Sequence, residues 1–230
     1  MTTMAVRVLV VDDEPPIRKL LRVGLGTEGY TISEAGNARD AIARIEAEEP
    51  DLVLLDLGLP DMTGQELLRL WRSEGRTLPI VILSSRTDEA GIVQALEAGA
   101  DDYVTKPFGM RELAARLRVA LRHELHQQGE KPVFRTGELS VDLVRRIVQV
   151  GGAEVKLSPK EYDILRALVQ HAGKVLTHRH LLKEVWGGNE DVQYLRVYIR
   201  QLRQKIEPVP EQPFYITTEP GVGYRLRESD

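Results

Sequence analysis

Four apolar residues in an unbroken run, Leu52-Val-Leu-Leu55, lie between Asp51 and Asp56 and are followed by Leu57-Gly58-Leu59-Pro60. A strand with one wet face alternates apolar and polar residues. A run that does not alternate is covered on both faces, as in a parallel sheet sandwiched by helices. This run also delivers the Asp56 carboxylate to the strand's C-terminal end, just ahead of a Gly/Pro turn. In open α/β sheets ligands bind at that end. A carboxylate there is a metal ligand, a nucleophile or a turn cap, and aspartate is common enough in turns that the run alone leaves all three open.

The same organisation recurs across the front half. Residues 6–11 read as a buried strand ending at Asp12-Asp13-Glu14, and Pro15-Pro16 suits the first turn of a helix with Ile17, Leu20, Leu21, Val23 and Leu25 on its apolar face. Strand 30–35 precedes helix 38–48. After Asp56 come helix 65–73, strand 79–84, helix 89–98, strand 101–105 and a helix from 109 to about 122. Five strands alternating with five helices predict an α/β, doubly wound, five-stranded parallel sheet with right-handed crossovers.

Such a sheet gathers its strand ends on one rim, and here that rim collects Asp12, Asp13, Asp56, Ser84 and Lys106. Three clustered carboxylates repel one another unless a cation sits among them. Oxygen ligands without His or Cys select a hard ion, Mg²⁺. Magnesium beside Lys and Ser suits a phosphoryl group. Asp56 then reads as the nucleophile that forms an acyl phosphate, with the ion and Lys106 neutralising the transferred oxygens. Each residue has a plainer reading: Ser84 as a turn cap, Lys106 as a solvated charge, Tyr103 as a half-buried strand aromatic. Their convergence on one rim favours the site.

Asp12-Asp13, Asp56, Ser84, Tyr103 and Lys106-Pro107, in this order and spacing over residues 5–122, resemble the receiver domain of bacterial two-component response regulators, a flavodoxin-like fold. The resemblance implies a sensor histidine kinase as phosphoryl donor to Asp56. It implies magnesium held by Asp12, Asp13, Asp56 and the backbone carbonyl of Gly58. It also implies that Ser84 follows the phosphoryl oxygens, that Lys106 pairs with them, that Tyr103 rotates inward as Ser84 moves, and that a cis Lys106-Pro107 bond aims the lysine. Haloacid-dehalogenase-type phosphohydrolases use a similar strand but need a second aspartate two residues after the nucleophile. Gly58 stands there, so a switch and not an enzyme is expected.

Glu97, Asp102, Glu112, Arg116 and Arg118 surround the fourth helix, fifth strand and fifth helix. In the winged-helix subfamily of these regulators, matching positions form cross-dimer salt bridges after phosphorylation. Asp102 with Arg116 and Glu97 with Arg118 fit that pattern, whereas Ile92 stands where a basic partner for Glu112 is common. Read plainly, these are solvated helix charges, and exposed pairs contribute less than about 1 kcal/mol each.

Residues 123–132 read as a linker ending in Gly and Pro, between a domain at 1–122 and another at 133–230. Short β runs at 138–141, 147–150 and 154–157 suggest a small antiparallel sheet. Ser158-Pro159-Lys160-Glu161 is a capping box with proline at the first helical position. Thr177 opens another helix, and Gly187-Gly188-Asn189 breaks the chain before a third at 192–206. In that third helix Val192, Leu195, Ile199, Leu202 and Ile206 form an apolar stripe. Arg196, Arg200 and Arg203 run beside it, with Gln193, Gln201, Gln204 and Lys205 on the remaining surface. Arginine suits guanine edges or phosphates and glutamine suits adenine, so the face fits a DNA major groove; a solvated packing helix is the alternative.

Strands 213–218 and 223–227 close a terminal hairpin. This α+β half resembles the winged helix-turn-helix output domain of the OmpR/PhoB class, through Lys174-Val-Leu-Thr177, Val185-Trp186 and Gly221-Val-Gly-Tyr-Arg225. The resemblance implies recognition of double-stranded promoter DNA by helix 192–206, a hairpin reaching the minor groove, and contact of the 186–191 loop with RNA polymerase. Pro220 replaces a basic wing residue common in relatives, with Arg225 as its substitute. The two stretches 56–61 and 194–205 further resemble regulators of Kdp potassium-uptake operons.

Composition agrees: 42% hydrophobic, 29% charged and no cysteine. Residues 1–125 carry 15 Lys+Arg against 21 Asp+Glu, and residues 126–230 carry 16 against 14, an acidic half followed by a mildly basic one. No signal-peptide pattern and no apolar run near the roughly 20 residues of a membrane span are present, so no membrane association is expected and the cytoplasm is the expected location. The five histidines are expected at the surface or near a DNA backbone, since His178 and His180, two apart on a helix, do not share a face. A phosphorylation-controlled transcription regulator that dimerises is the expected function; a constitutive DNA binder whose receiver works by protein contact is the alternative.

Overall fold

The computed structural model describes residues 5–127, 129–188 and 190–228, which form two compact units, Ala5–Gly129 and the chain from Glu130 onward. The first holds strands β1 (Arg7–Val11), β2 (Thr31–Ala35), β3 (Leu52–Leu55), β4 (Ile80–Ser84) and β5 (Asp102–Thr105). They are parallel, in the order β2-β1-β3-β4-β5. Between them run α1 (Pro15–Thr27), α2 (Ala38–Glu48), α3 (Gly64–Ser73), α4 (Glu89–Glu97) and α5 (Met110–Gln127). Leu9, Val11, Val53, Leu55, Ile80 and Ile82 pack with Ala41, Ile45, Leu68 and Trp71 on one face. Val8, Val10, Leu52, Leu54, Val81 and Leu83 pack with Leu21, Leu25, Leu113 and Leu117 on the other. The side chains of Val8–Val11, of β3 and of Ile80–Leu83 thus all enter one of two cores, which is why those runs do not alternate. Strand order reverses direction beside β1 and β3, and a crevice opens at their C-terminal ends.

α2 depends on a residue distant in sequence. Asn37 caps it by accepting from the Asp40 N–H (2.8 Å), and the Asp61 carboxylate accepts from the N–H groups of Ala38 (2.9 Å) and Arg39 (3.0 Å). The hydrogen bond from Ala38, then that from Arg39, hold the Asp61 carboxyl below its ordinary 3.8. A depressed carboxylate contributes stability above its unfolded value and loses it as pH falls through the folded one. Asp61→Ala is therefore expected to lower the melting temperature at pH 7, with the gap narrowing as pH falls below the ordinary 3.8 and through the folded value. Thermal melts at neutral and acid pH check this; a gap that persists in acid would show that the carboxylate's charge is not what α2 uses.

α5 runs to Gln127, past the expected end near residue 122, because Leu121 and Leu125 continue the spacing of four from Leu117 and Leu125 is buried. The first half of the expected linker is therefore helical; Gln128 lies outside the described residues.

The second unit opens with β6 (Val133–Thr136), β7 (Leu139–Asp142), β8 (Ile147–Val150) and β9 (Ala153–Glu154), an antiparallel sheet. β6 is not among the strands expected from the sequence; its alternation places Phe134 and Thr136 inward. The last expected run is shorter than 154–157: beyond Glu154 the Val155 N–H on Val148 O continues the ladder (2.8 Å) before Ser158 caps the next helix. Then come α6 (Pro159–Gln170), β10 (Val175–Thr177), α7 (His178–Trp186), α8 (Val192–Ile206), β11 (Ile216–Glu219) and β12 (Gly223–Leu226). β10 pairs with β12, and β12 with β11. A Cβ at Gly223 would lie 1.9 Å from the Leu176 carbonyl oxygen, so only glycine permits this close approach of β10 and β12. Leu195, Ile199, Leu202 and Ile206 of α8 are buried, whereas Val192 is half-buried. Among the described residues no helix is long and apolar enough to cross a membrane.

Candidate functional site

The crevice is stitched by backbone bonds. The Asp56 N–H donates to Val11 O (2.8 Å), the Asp12 N–H to Ala35 O (3.1 Å) and the Lys106 N–H to Ser84 O (2.8 Å). These bonds tie together the C-terminal ends of all five strands. Carboxylate oxygens of Asp12, Asp13 and Asp56 all lie within 4.8 Å of one another. Lys106 Nζ lies 2.8 Å from Asp12 Oδ2, 3.0 Å from Asp56 Oδ2 and 3.4 Å from Glu14 Oε1. The Lys106-Pro107 peptide bond is cis.

Asp12 is 1% exposed and the Lys106 side chain 9%. Burial pushes the Asp12 carboxyl above its ordinary 3.8, although the Lys106 hydrogen bond pulls the other way. Burial also disfavours the Lys106 ammonium, but its bonds to Asp12 and Asp56 outweigh that and hold it above 10.5. One ammonium thus faces an excess of carboxylates. An oxygen-only donor set with surplus negative charge, opening to solvent at the exposed Asp13, fits a hard divalent cation. The Gly58 N–H donates to Asp56 Oδ1 (3.3 Å). A Cβ at Gly64 would lie 2.0 Å from the Asp56 carbonyl oxygen, so glycine alone lets the start of α3 pack under the aspartate.

Ser84 and Tyr103 meet through Arg86, a residue with no motif around it to mark it. The Arg86 N–H donates to Ser84 Oγ (3.2 Å), and the Tyr103 hydroxyl donates to Arg86 O (3.0 Å) with its ring buried. Glu14 and Arg18 also join the site unannounced by the sequence pattern, Arg18 through Nη1, which donates to Asp12 O. Neither carries a local signal, because each acts on a partner brought close by the fold.

The charges on α4, β5 and α5 are placed unevenly. Arg116 Nη1 lies 3.0 Å from Asp102 Oδ2 and its Nη2 3.0 Å from Glu112 Oε1, while Arg118 Nη1 is 3.8 Å from Glu28 Oε2. Both arginines therefore have partners within one chain. Glu97 is exposed, near the exposed Val93 and Leu96 of α4.

On α8, Gln193, Arg196, Arg200 and Gln204 are exposed as expected for a recognition face. Tyr194 (57%) and Val197 (53%) are exposed there too. Both were legible as apolar residues lying off the buried stripe. Gln193, Val197, Arg200 and Gln204, at i, i+4, i+7 and i+11, form one solvent-facing strip. Arg203 departs from the expected arginine line. Its Nε and Nη2 donate to Ile216 O (3.0 and 2.6 Å), and Nη2 also to Thr218 Oγ1 (2.8 Å). Burial lowers its pKa, partly offset by Tyr224 and Glu207. Arg203 is thus half-buried and committed to β11, because β11 crosses the helix at that position. Lys205 pairs with Glu161 of the α6 capping box (2.6 Å).

Arg225 is exposed and pairs across the hairpin with Glu219 (2.8 Å). The Glu207 carboxylate, buried at the end of α8, accepts from the N–H groups of Phe214, Tyr215 and Ile216 at 2.7–3.1 Å. These bonds delay β11 to Ile216, three residues after its expected start at Pro213. His178 packs edge-on against Tyr224, and His171 against His180. Asn189, in the loop expected to meet RNA polymerase, lies outside the described residues.

Residues 8–118 match the response regulator receiver domain family, and residues 152–226 the C-terminal domain of transcriptional regulatory proteins. The KDP operon transcriptional regulatory protein KdpE of Escherichia coli (strain K12) is 44% identical over 221 residues, spanning 95% of this chain and 98% of that protein. The transcriptional regulatory protein KdpE of Mycobacterium tuberculosis (strain ATCC 25618 / H37Rv) is 47% identical over 225 residues, with the same coverages of 95% and 98%. Among solved structures, a CheY-like response regulator receiver domain protein from Methanospirillum hungatei JF-1 superposes with a TM-score of 0.51 at 32% identity, covering 54% of this chain and 98% of that one.

Proposed function

This chain belongs to the response regulators that join a receiver to an OmpR/PhoB-type transcriptional-regulatory domain, within the KdpE group, and from that membership and the geometry at Asp56 we infer how its switch operates. It is a phosphorylation-activated, DNA-binding regulator of a two-component system, with a histidine kinase and promoter DNA as partners, and it is a transcription factor, not an enzyme. The supporting observation is the Asp56 carboxylate at the end of β3, beside Asp12 and Asp13 and 3.0 Å from Lys106 Nζ.

An Asp56 oxygen forms the new O–P bond while the donor's N–P bond breaks, leaving its electron pair on the imidazole nitrogen, which takes up a proton. Lys106, which holds Asp12 and Asp56 in the resting state, turns to the phosphoryl oxygens, and the Ser84 hydroxyl follows them. Tyr103 reads that movement through Arg86, whose backbone bonds to both side chains. Asp12, Asp13, Asp56 and the Gly58 carbonyl would hold magnesium, which would supply neutralising charge for the transferred oxygens.

The outcome is a population shift toward a homodimer through α4, β5 and α5. Exposed Val93 and Leu96 supply apolar area, and Glu97, Asp102, Glu112, Arg116 and Arg118 exchange partners across the interface. Residues 1–122 act as receiver, 123–132 as linker and 133–230 as DNA-binding domain, working in the cytoplasm. Arg196, Arg200, Gln193 and Gln204 read the major groove, Arg225 reaches the backbone from the hairpin, and the 186–191 loop meets RNA polymerase. The regulated target is a Kdp-type potassium-uptake operon, by likeness to the KdpE relatives.

Intact-mass measurement with acetyl phosphate and Mg²⁺, followed by size-exclusion chromatography, tests the switch. One phosphoryl adduct, absent in Asp56→Asn and accompanied by dimer, is expected. No adduct on the native chain would sink the phosphoacceptor role. An adduct that leaves DNA affinity unchanged would leave constitutive binding in its place.

A further inference from the structure

Arg203 of α8 and Glu207, which caps the end of that helix, grip the segment that leads into the hairpin. Glu207 accepts the N–H groups of residues 214–216, and Arg203 donates to Ile216 O and Thr218 Oγ1 while its guanidinium carbon lies 5.7 Å from the Tyr224 ring centroid. Thr218 pairs with Tyr224 and Thr217 with Arg225, so strand alternation puts Arg203's partners on one face of the hairpin and Arg225 on the other. A hairpin held by its backbone and by a planar two-nitrogen fork keeps a fixed angle to α8, and a preset angle spares the ordering cost of engaging both on one ligand.

We propose that Arg203 is a positioning residue for DNA binding: it sets the hairpin against α8 so that Arg225 and the α8 cations engage the same duplex together, without itself touching a phosphate. This rests on the proposed DNA-binding roles of α8 and Arg225, and it gives Arg203 a function unlike that of Arg196 and Arg200, with which it shares a line along the helix.

Full-length protein is titrated with a mixed-sequence DNA duplex about two helical turns long, and log K is followed against log salt; each phosphate that the protein no longer neutralises reduces the slope by about 0.9. A folded fraction that stays constant with salt shifts log K without changing this slope, and circular dichroism of each variant across the salt range verifies that constancy. Arg225→Gln, Arg203→Gln and Arg203→Lys are each expected to reduce the slope by about one phosphate's share. The double variant Arg203→Gln/Arg225→Gln is expected to reduce it no further than Arg225→Gln alone. Arg203→Lys keeps the charge but not the fork, and it carries the test if Arg203→Gln fails to fold.

A native slope for Arg203→Lys, or a double variant whose slope falls by two phosphates' share, overturns the proposal; additive reduction would mean Arg203 touches phosphate itself. A native slope for Arg225→Gln removes the hairpin–phosphate pairing beneath the proposal and so overturns both, which the Arg225 arm reports on its own.

Discussion

Replacing Lys106 with methionine is expected to destabilise the metal-free first unit by about 3–5 kcal/mol, the range for removing one partner from a buried ion cluster. Lys106 is the ammonium within 3.0 Å of both Asp12 and Asp56, and Asp12 has almost no exposure to water to replace it. Against a typical domain stability of about 5–15 kcal/mol this is a large fraction. The deficit should depend on pH with a definite sign. Burial raises the Asp12 pKa above 3.8, so its favourable contribution is present below that value and lost as pH rises through the folded one. Losing the Lys106 hydrogen bond raises the folded value further. Native and variant stabilities should therefore converge in acid and diverge toward neutrality.

Saturating Mg²⁺ should return part of the loss by binding only the folded site. Urea unfolding reported by Trp71, in a Trp186→Phe background, measures all three effects. A deficit under about 1 kcal/mol at pH 7 would mean that the two carboxylates do not need the lysine's charge.

Glu207→Ala is expected to cost the second unit about 3 kcal/mol or more. It orphans the buried N–H groups of Tyr215 and Ile216, each unsatisfied buried donor costing about 1–3 kcal/mol, and removes the part-buried bond from the Phe214 N–H. The bonds removed end on a charged acceptor, the stronger kind. Glu207→Gln keeps one carbonyl oxygen and should recover part of the stability. Denaturant unfolding followed by Trp186, with hydrogen exchange at the three amides, provides the readout. Unchanged protection at residues 214–216 would show that another group satisfies them and that Glu207 is not what delays β11.

Much of the front half was legible because its determinants are local. Unalternated runs at 6–11, 52–55 and 79–84 require two covered faces, and parallel strands separated by helices share one rim, so Asp12, Asp13, Asp56 and Lys106 had to converge. The Ser158–Glu161 box and the α8 stripe were equally local, since a cap and a helical face repeat within a few residues. The end of α5 was only half legible: Leu121 and Leu125 keep the spacing of four from Leu117, but Leu125 is flanked by polar residues and its burial depends on what it packs against.

The same arginine side chain at positions 196, 200 and 203 gives an unbroken line on a helical wheel, yet only the crossing of β11 commits the third to a carbonyl thirteen residues away. Asp61 capping α2, Glu14 reaching Lys106 and Glu207 holding residues 214–216 are likewise partnerships between stretches that meet only in three dimensions. Periodicity and capping act over one or two turns of chain, so the residues alone specified which elements form and which chemistry collects at the strand ends. A charged side chain's partner is set by where separate elements cross, and the folded molecule alone decides whether that charge meets a ligand or another part of the chain.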